Sequence, residues 1–215
     1  MIEFAPGRGL RRVLAVGAHA DDIEIGAGGT ILHMLNENDG IDVCWVVLAA
    51  HGDRREEATN SAERFLKGAA RIDLRIEGFR ERYFPYQAEL KEYFDWLGGE
   101  FAPDLVLCPW VGDAHQDHRI TAQLTLNTFR DHPVLQYEVL KVDGDLGRPN
   151  LYVALPPGVA EDKVALLMDM FPSQRRRQWF DPQAFTGLMR LRGVEARAGS
   201  GFAEAFHCSQ LVVRL

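Results

Sequence analysis

Two four-residue stretches of this chain bring together side chains that can do chemistry: His19-Ala20-Asp21-Asp22 and His115-Gln116-Asp117-His118, about a hundred residues apart and each following an apolar run. Imidazoles and carboxylates bind a borderline ion such as zinc and can leave a carboxylate over for proton transfer. The chain has seven histidines in all, so this concentration points to metal-assisted hydrolysis. His19 and Asp22 are three residues apart, as are His115 and His118, and if each motif opens a helical turn the members of each pair point to the same side. Three ligands and an open position describe a catalytic zinc site. The assignment from spacing is His19, Asp22 and His118, with water in the remaining position. Taken singly, each motif has a plainer reading. His-Ala-Asp-Asp can be a capping turn in which Asp21 or Asp22 accepts backbone N–H bonds at a helix start, and His-Gln-Asp-His can be a polar loop.

The elements around the motifs decide whether they meet. Strand-like runs at 13–16, 43–48, 72–76 and 105–108 alternate with helix-like segments at 28–36, 56–67 and 87–97. This pattern predicts a parallel sheet covered by helices. In an open doubly wound sheet ordered 3-2-1-4, strands one and four are neighbours, and ligands bind outside their carboxyl ends where the winding reverses. The motifs follow strands one and four, so topology alone brings them into one crevice. Beyond residue 121 the pattern predicts a helix at 122–129, a strand at 134–142 containing Tyr137 and Glu138, and a loop at 144–150. A strand at 151–155, helices at 161–171 and 182–191, and a closing strand at 211–215 complete it. The expected fold is α/β, a Rossmann-like open, mostly parallel sheet with helices on both faces and a C-terminal elaboration. No internal repeat or low-complexity linker divides the sequence, so 1–215 reads as one domain. Gly26-Ala27-Gly28-Gly29-Thr30 is a poor dinucleotide loop, because His19 to Asp22 occupy the turn where a first glycine would stand; the glycines instead suit close approach of a helix to the sheet.

Composition narrows the partners. With 215 residues, 47% of them hydrophobic, the chain can bury a full core without disulfides. The formal charge of −7, from 24 basic and 31 acidic residues, gives no broad footprint for nucleic acid or an anionic membrane. A small-molecule substrate follows. Arg175, Arg176 and Arg177 form the one basic run and read as a solvated helix face. Cys44, Cys108 and Cys208 are widely spaced, odd in number and without a CxxC pair, which fits reduced thiols. Residues 1–9 lack the basic and apolar regions of a signal peptide, and no apolar run approaches the ~20 residues of a membrane span. A soluble, cytoplasmic protein is expected.

The two motifs resemble those of the PIG-L/LmbE family of zinc-dependent N-deacetylases. The family's His-Pro-Asp-Asp-x-Glu appears as His19-Ala20-Asp21-Asp22-Ile23-Glu24, and its His-Pro-Asp-His as His115-Gln116-Asp117-His118. Further similarity lies in Arg54-Arg55-Glu56-Glu57-Ala58, Ser173-Gln174, Arg192-Gly193 and Ala203-Glu204-Ala205-Phe206. Ala20 and Gln116 replace prolines that shape turns and carry no ligand. Some relatives have a tyrosine two residues before the second motif where this chain has Asp113, so the tyrosine's role does not carry over.

The resemblance implies removal of the N-acetyl group from an N-acetylglucosamine-type amino sugar or its conjugate, with release of acetate. It assigns zinc to His19, Asp22 and His118, a set that iron(II) or another divalent ion also fits, and makes Asp21 the general base. It further implies that protonated His115, supported by Asp117, stabilises the oxyanion, that Asp21 or His115 protonates the leaving amine, and that Arg54 lies near the substrate. Glu24 would support the metal loop, and Tyr83, Phe84, Tyr86, Trp110 and Trp179 are candidate sugar-stacking surfaces. Relatives are often oligomeric, which leaves a homo-oligomer open. The competing readings are a metal-dependent phosphoesterase, for which these motifs offer few bridging carboxylates, and a carbohydrate- or nucleotide-binding module without catalysis, which would have no need of an unliganded Asp21.

Overall fold

The structure, a computed structural model, describes residues 9–211. The central strand β1 (Arg12–His19) is flanked by β2 (Asp42–Ala49) and β4 (Leu105–Pro109), with β3 (Arg71–Ile76) outside β2 and β5 (Val134–Tyr137) outside β4, all parallel. Two antiparallel strands, β6 (Leu151–Ala154) and β7 (Ala203–Cys208), extend the sheet to the order β3-β2-β1-β4-β5-β7-β6. The predicted 3-2-1-4 core is present.

The apolar runs of β1 and β2 are continuous because both faces of these strands are covered. Val13 and Ala15 of β1, with Val43, Trp45 and Val47 of β2, pack against α1 (Asp22–Glu37), α2 (Asp53–Phe65), α5 (Val159–Met170) and α6 (Pro182–Ala196). The alternate residues Leu14, Val16, Ala18, Cys44, Val46 and Leu48 meet Leu90, Phe94 and Leu97 of α3 (Ala88–Glu100) and the flank of α4 (Gln116–Thr128). The period-two alternation of a strand thus sends one sequence run into two cores.

Gly26 lets α1 lie on the sheet. A Cβ there would stand 2.1 Å from the Tyr137 ring, and Tyr137, fully buried, donates through its hydroxyl to the Val16 carbonyl at 2.7 Å. Glu204 reaches from β7 to accept the Gly29 and Thr30 N–H groups in mid-helix (2.8 and 2.7 Å) and is held by Lys163 at 2.6 Å. Arg192 clamps Glu138 in a bidentate pair at 2.9 and 2.6 Å. The late-chain residues Arg192 and Glu204 therefore brace the sheet and α1.

Several expected boundaries shift. α1 and α4 begin at Asp22 and Gln116, ahead of the predicted 28 and 122, because the polar motifs themselves form the first helical turns. The strand predicted at 134–142 stops at Tyr137, since Glu138 turns to Arg192. Residues 175–177 lie in turns between α5 and α6 and not in a helix. The sheet gains β7 at Ala203–Cys208; of the predicted strand 211–215, residues 212–215 lie outside the described residues and Leu211 is not in a strand. No helix among the described residues is long and apolar enough to cross a membrane.

Candidate active site

β1 delivers His19 at its carboxyl end, and the chain turns at Ala20 and Asp21 into α1. Asp21 takes a φ of 108°, a left-handed conformation that a residue with a Cβ adopts at a cost of roughly 1–3 kcal/mol. Arg54, in the first turn of α2, holds this turn by donating to Asp21 Oδ1 at 3.0 Å and to the Ala20 carbonyl. Asp22 opens α1 and its Oδ2 accepts the His19 N–H at 2.8 Å, so the first motif is a closed loop. β4 delivers the second motif. His115 caps α4, its Nδ1 accepting the Asp117 N–H at 3.2 Å, and His118 follows one turn later.

The motifs meet as strand order requires. His19 Nδ1 is 3.2 Å from His118 Nε2, and the Asp22 carboxylate closes the group through both oxygens, Oδ1 at 3.3 Å from His118 Nε2 and Oδ2 at 3.6 Å from His19 Nδ1. A tetrahedral ion with ligand distances of about 2.0–2.2 Å separates its ligand atoms by about 3.3–3.6 Å, so this triangle fits one. The outer nitrogens favour the same arrangement. His19 Nε2 faces Asp117 Oδ2 at 3.2 Å and His118 Nδ1 faces Asp113 Oδ2 at 2.9 Å. Each carboxylate takes an N–H, which leaves the inner nitrogens as lone pairs turned toward one another and toward Asp22. Two lone pairs and a carboxylate so placed repel unless a cation or protons stand between them. The ring nitrogens of His19, His115 and His118 also approach within 4.8 Å of one another.

The electrostatics agree. Burial works against charge on His19, but Asp117 and Asp22 outweigh it and raise the pKa to about 10; His118, likewise buried, is raised to about 9 by Asp22 and Asp113. Burial opposes ionisation of Asp22, yet His118 and His19 hold it well below the usual carboxylate range. Asp21 differs. Burial pushes it up to about 6, with Arg54 pulling down and Asp22 pushing up. His115 is lowered by burial and by the positive charge that His118 and His19 can carry.

The predicted site residues take these places. His19, Asp21, Asp22, His115, Asp117 and His118 share the crevice. Asp117 hydrogen-bonds His115 through its backbone N–H, while its carboxylate turns to His19 and to the Arg82 N–H at 2.6 Å and acts on the His115 ring by its charge, favouring the protonated form. Arg54 is committed to the Asp21 loop. Glu57, one turn further along α2, accepts from the Ser173 N–H and hydroxyl at 2.8 and 2.6 Å. Glu24 is buried, neither carboxyl oxygen has a partner in hydrogen-bonding geometry among the described residues, and burial, only partly offset by the nearby Ser61 hydroxyl, raises its pKa to about 8. Among the aromatic candidates, Trp110 stacks on His207 at 4.2 Å, Tyr83 lies under Arg80 and Trp179 packs on Phe180, while buried Phe84 stacks on His19. Sequence reasoning missed Asp113, Lys141 and the Arg82 backbone. In the sequence Asp113 stands out only where some relatives have a tyrosine, and no local pattern marks Lys141.

Residues 14–129 match the family described as PIG-L: GlcNAc-PI de-N-acetylase. The fold is similar to that of N,N'-diacetylchitobiose deacetylase from Pyrococcus horikoshii, with a TM-score of 0.73 and 20% identity over 94% of this chain and 85% of that one. It is also similar to the deacetylase of the A40926 pseudoaglycone, with a TM-score of 0.71 and 16% identity over 94% and 99% of the two chains. The 4-carboxy-2-hydroxymuconate hydratase of Pseudomonas putida matches as well, with a TM-score of 0.73 and 19% identity over 96% and 99%. The family match spans more than half of the sequence and contains both motifs that meet in the crevice; the chain belongs to the PIG-L family.

Proposed function

We propose that the crevice holds one divalent cation, zinc in the first instance, on His19, Asp22 and His118, and that the protein, as one catalytic domain, hydrolyses the N-acetyl amide of an N-acetylglucosamine-type sugar or its conjugate. The observation that carries this reading is Asp21, a buried carboxylate beside the donor triangle and outside it, with its pKa raised to about 6. A general base works best with a pKa near the working pH. A cation bound there supplies polarisation of the acyl carbonyl and of the attacking water.

The chain's own groups then divide the work. Asp21 Oδ1 is tied to Arg54, which leaves Oδ2 to take the proton of the attacking water. His115 Nδ1 accepts the Asp117 N–H, so the ring's proton sits on Nε2. That neutral N–H has no lone pair for a metal and serves as a donor to the oxyanion of the tetrahedral intermediate. The geometry favours this neutral donor over the protonated His115 of the sequence reading, since an imidazolium would give up its helix cap. Asp21 is then the group that returns a proton to the leaving amine, releasing acetate and the free amino sugar.

The test is acetate release from N-acetylated sugars offered free, nucleotide-linked and lipid-linked, before and after chelation. The reading expects release that chelation abolishes; no acetate from any of them would overturn it. The likeness to a hydratase supports a second reading, addition of water to an unsaturated acid, which would consume that acid and release no acetate.

A further inference from the structure

On the side of His118 away from the donor triangle, three charged side chains from two segments meet: Asp113 ahead of α4, and Lys141 and Asp145, four residues apart, from the stretch after β5. Asp113 Oδ2 accepts from His118 Nδ1 and from Lys141 Nζ, both at 2.9 Å, while Asp113 Oδ1 accepts the His115 N–H at 2.7 Å. The same Lys141 Nζ donates to Asp145 Oδ2 at 2.6 Å, and that oxygen takes the Ala114 N–H at 2.6 Å. None of the three side chains is more than 14% exposed. One ammonium therefore stands between two carboxylates, largely out of reach of screening salt.

We infer that Lys141 is a positioning residue for the metal centre: by lying between Asp113 and Asp145 it keeps Asp113 on the outer nitrogen of His118, and so sets how tightly the centre retains its cation. The inference rests on the reading of His118 as a ligand. Its physics is that of a supporting carboxylate that fixes the tautomer and orientation of a ligand imidazole. Without the ammonium, two carboxylate oxygens that now share one hydrogen-bond donor face each other as like charges in a poorly solvated place. Asp145 is tied to the Ala114 N–H and Asp113 to the His115 N–H, so the contact that gives way is the one between Asp113 and His118. The imidazole then loses the acceptor that directs its lone pair inward.

The experiment is the zinc dissociation constant of the metal-free protein, measured by competition with a chromophoric chelator. The proteins compared are wild type, Lys141→Met, Lys141→Arg and the double variant Lys141→Met/Asp145→Asn, with circular dichroism to verify the fold. Lys141→Met is expected to weaken zinc binding about 10–100-fold, the range for loss of such support, and Lys141→Arg to bind within a fewfold of wild type. The double variant is expected to recover most of the loss, because it removes the opposing charge while an amide oxygen still accepts the Ala114 N–H. A merely structural role for Lys141 predicts no such recovery. If Lys141→Met does not fold, Lys141→Gln, which keeps donors without the charge, carries the same comparison. Unchanged affinity in the single variant, or a double variant no tighter than the single, overturns the inference. A wild-type protein that binds zinc tightly but releases no acetate overturns the proposed activity alone, and one with no affinity for zinc overturns the ligand set and this inference together.

Discussion

At the level of single residues the proposed chemistry separates groups that hold a cation from groups that move protons. Asp21 and Asp22 are adjacent in sequence and opposite in character: Asp22 is kept ionised by His118 and His19, while burial leaves Asp21 able to gain and lose a proton near neutrality. Asp21→Ala should lower kcat by about 10²–10⁴-fold, the usual worth of a general acid–base group, and still bind one equivalent of metal; paired acetate-release and metal-content assays check both halves. Arg54 gives a second expectation through its sign. The guanidinium lowers the Asp21 pKa, and Asp21 must be ionised to act as a base. Arg54→Met should therefore move the acid limb of the rate–pH profile to higher pH, and an unmoved limb would show that Arg54 does not tune this carboxylate.

The elements place these residues through close packing at their ends and middles. α1 carries Asp22 in its first turn, and its Gly26 rests on Tyr137, which is bonded to the β1 backbone at Val16. Gly26→Ala would drive a Cβ into the Tyr137 ring and within 2.9 Å of the Glu138 carbonyl oxygen. Overpacking of this kind costs about 1–3 kcal/mol or more, so a lowered Tm together with weaker metal binding is expected. Glu24, on the same helix, links stability to pH. Its pKa rises from 4.5 to about 8 on folding, so the stability it contributes is fully present below about 4.5 and is lost as pH rises through 8. Glu24→Gln does not titrate. In urea unfolding of the metal-free protein, the variant should gain on wild type progressively from pH 4.5 to 8, by on the order of a few kcal/mol, and a pH-independent difference would count against a protonated Glu24.

At the scale of the whole molecule, the sequence made legible whatever is written as a local period. The alternating runs of β1 to β4 and their intervening helices gave the sheet order, and that order brought His19 and Asp22 to His118 before any side chain was placed. What escaped depends on contacts without local pattern. β7 is short, with Ala203, Glu204 and Ala205 in place of β-branched residues, and its Glu204 serves α1 rather than a solvent face. Lys141 supports His118 only because the segment after β5 passes behind the second motif. α1 and α4 start ahead of the sequence expectation because the polar residues of their first turns signal a site more strongly than a helix. In the proposed function one cation, held by His19, Asp22 and His118, makes this fold hydrolytic. The decisive measurement is a titration of zinc into chelator-stripped protein while acetate release from an N-acetylglucosamine conjugate is followed. Activity should rise linearly to one equivalent and plateau, with His118→Ala and Asp22→Asn needing far more metal; acetate release at full rate from the stripped protein, or none at any zinc concentration, would rule out a hydrolytic cation on these three residues.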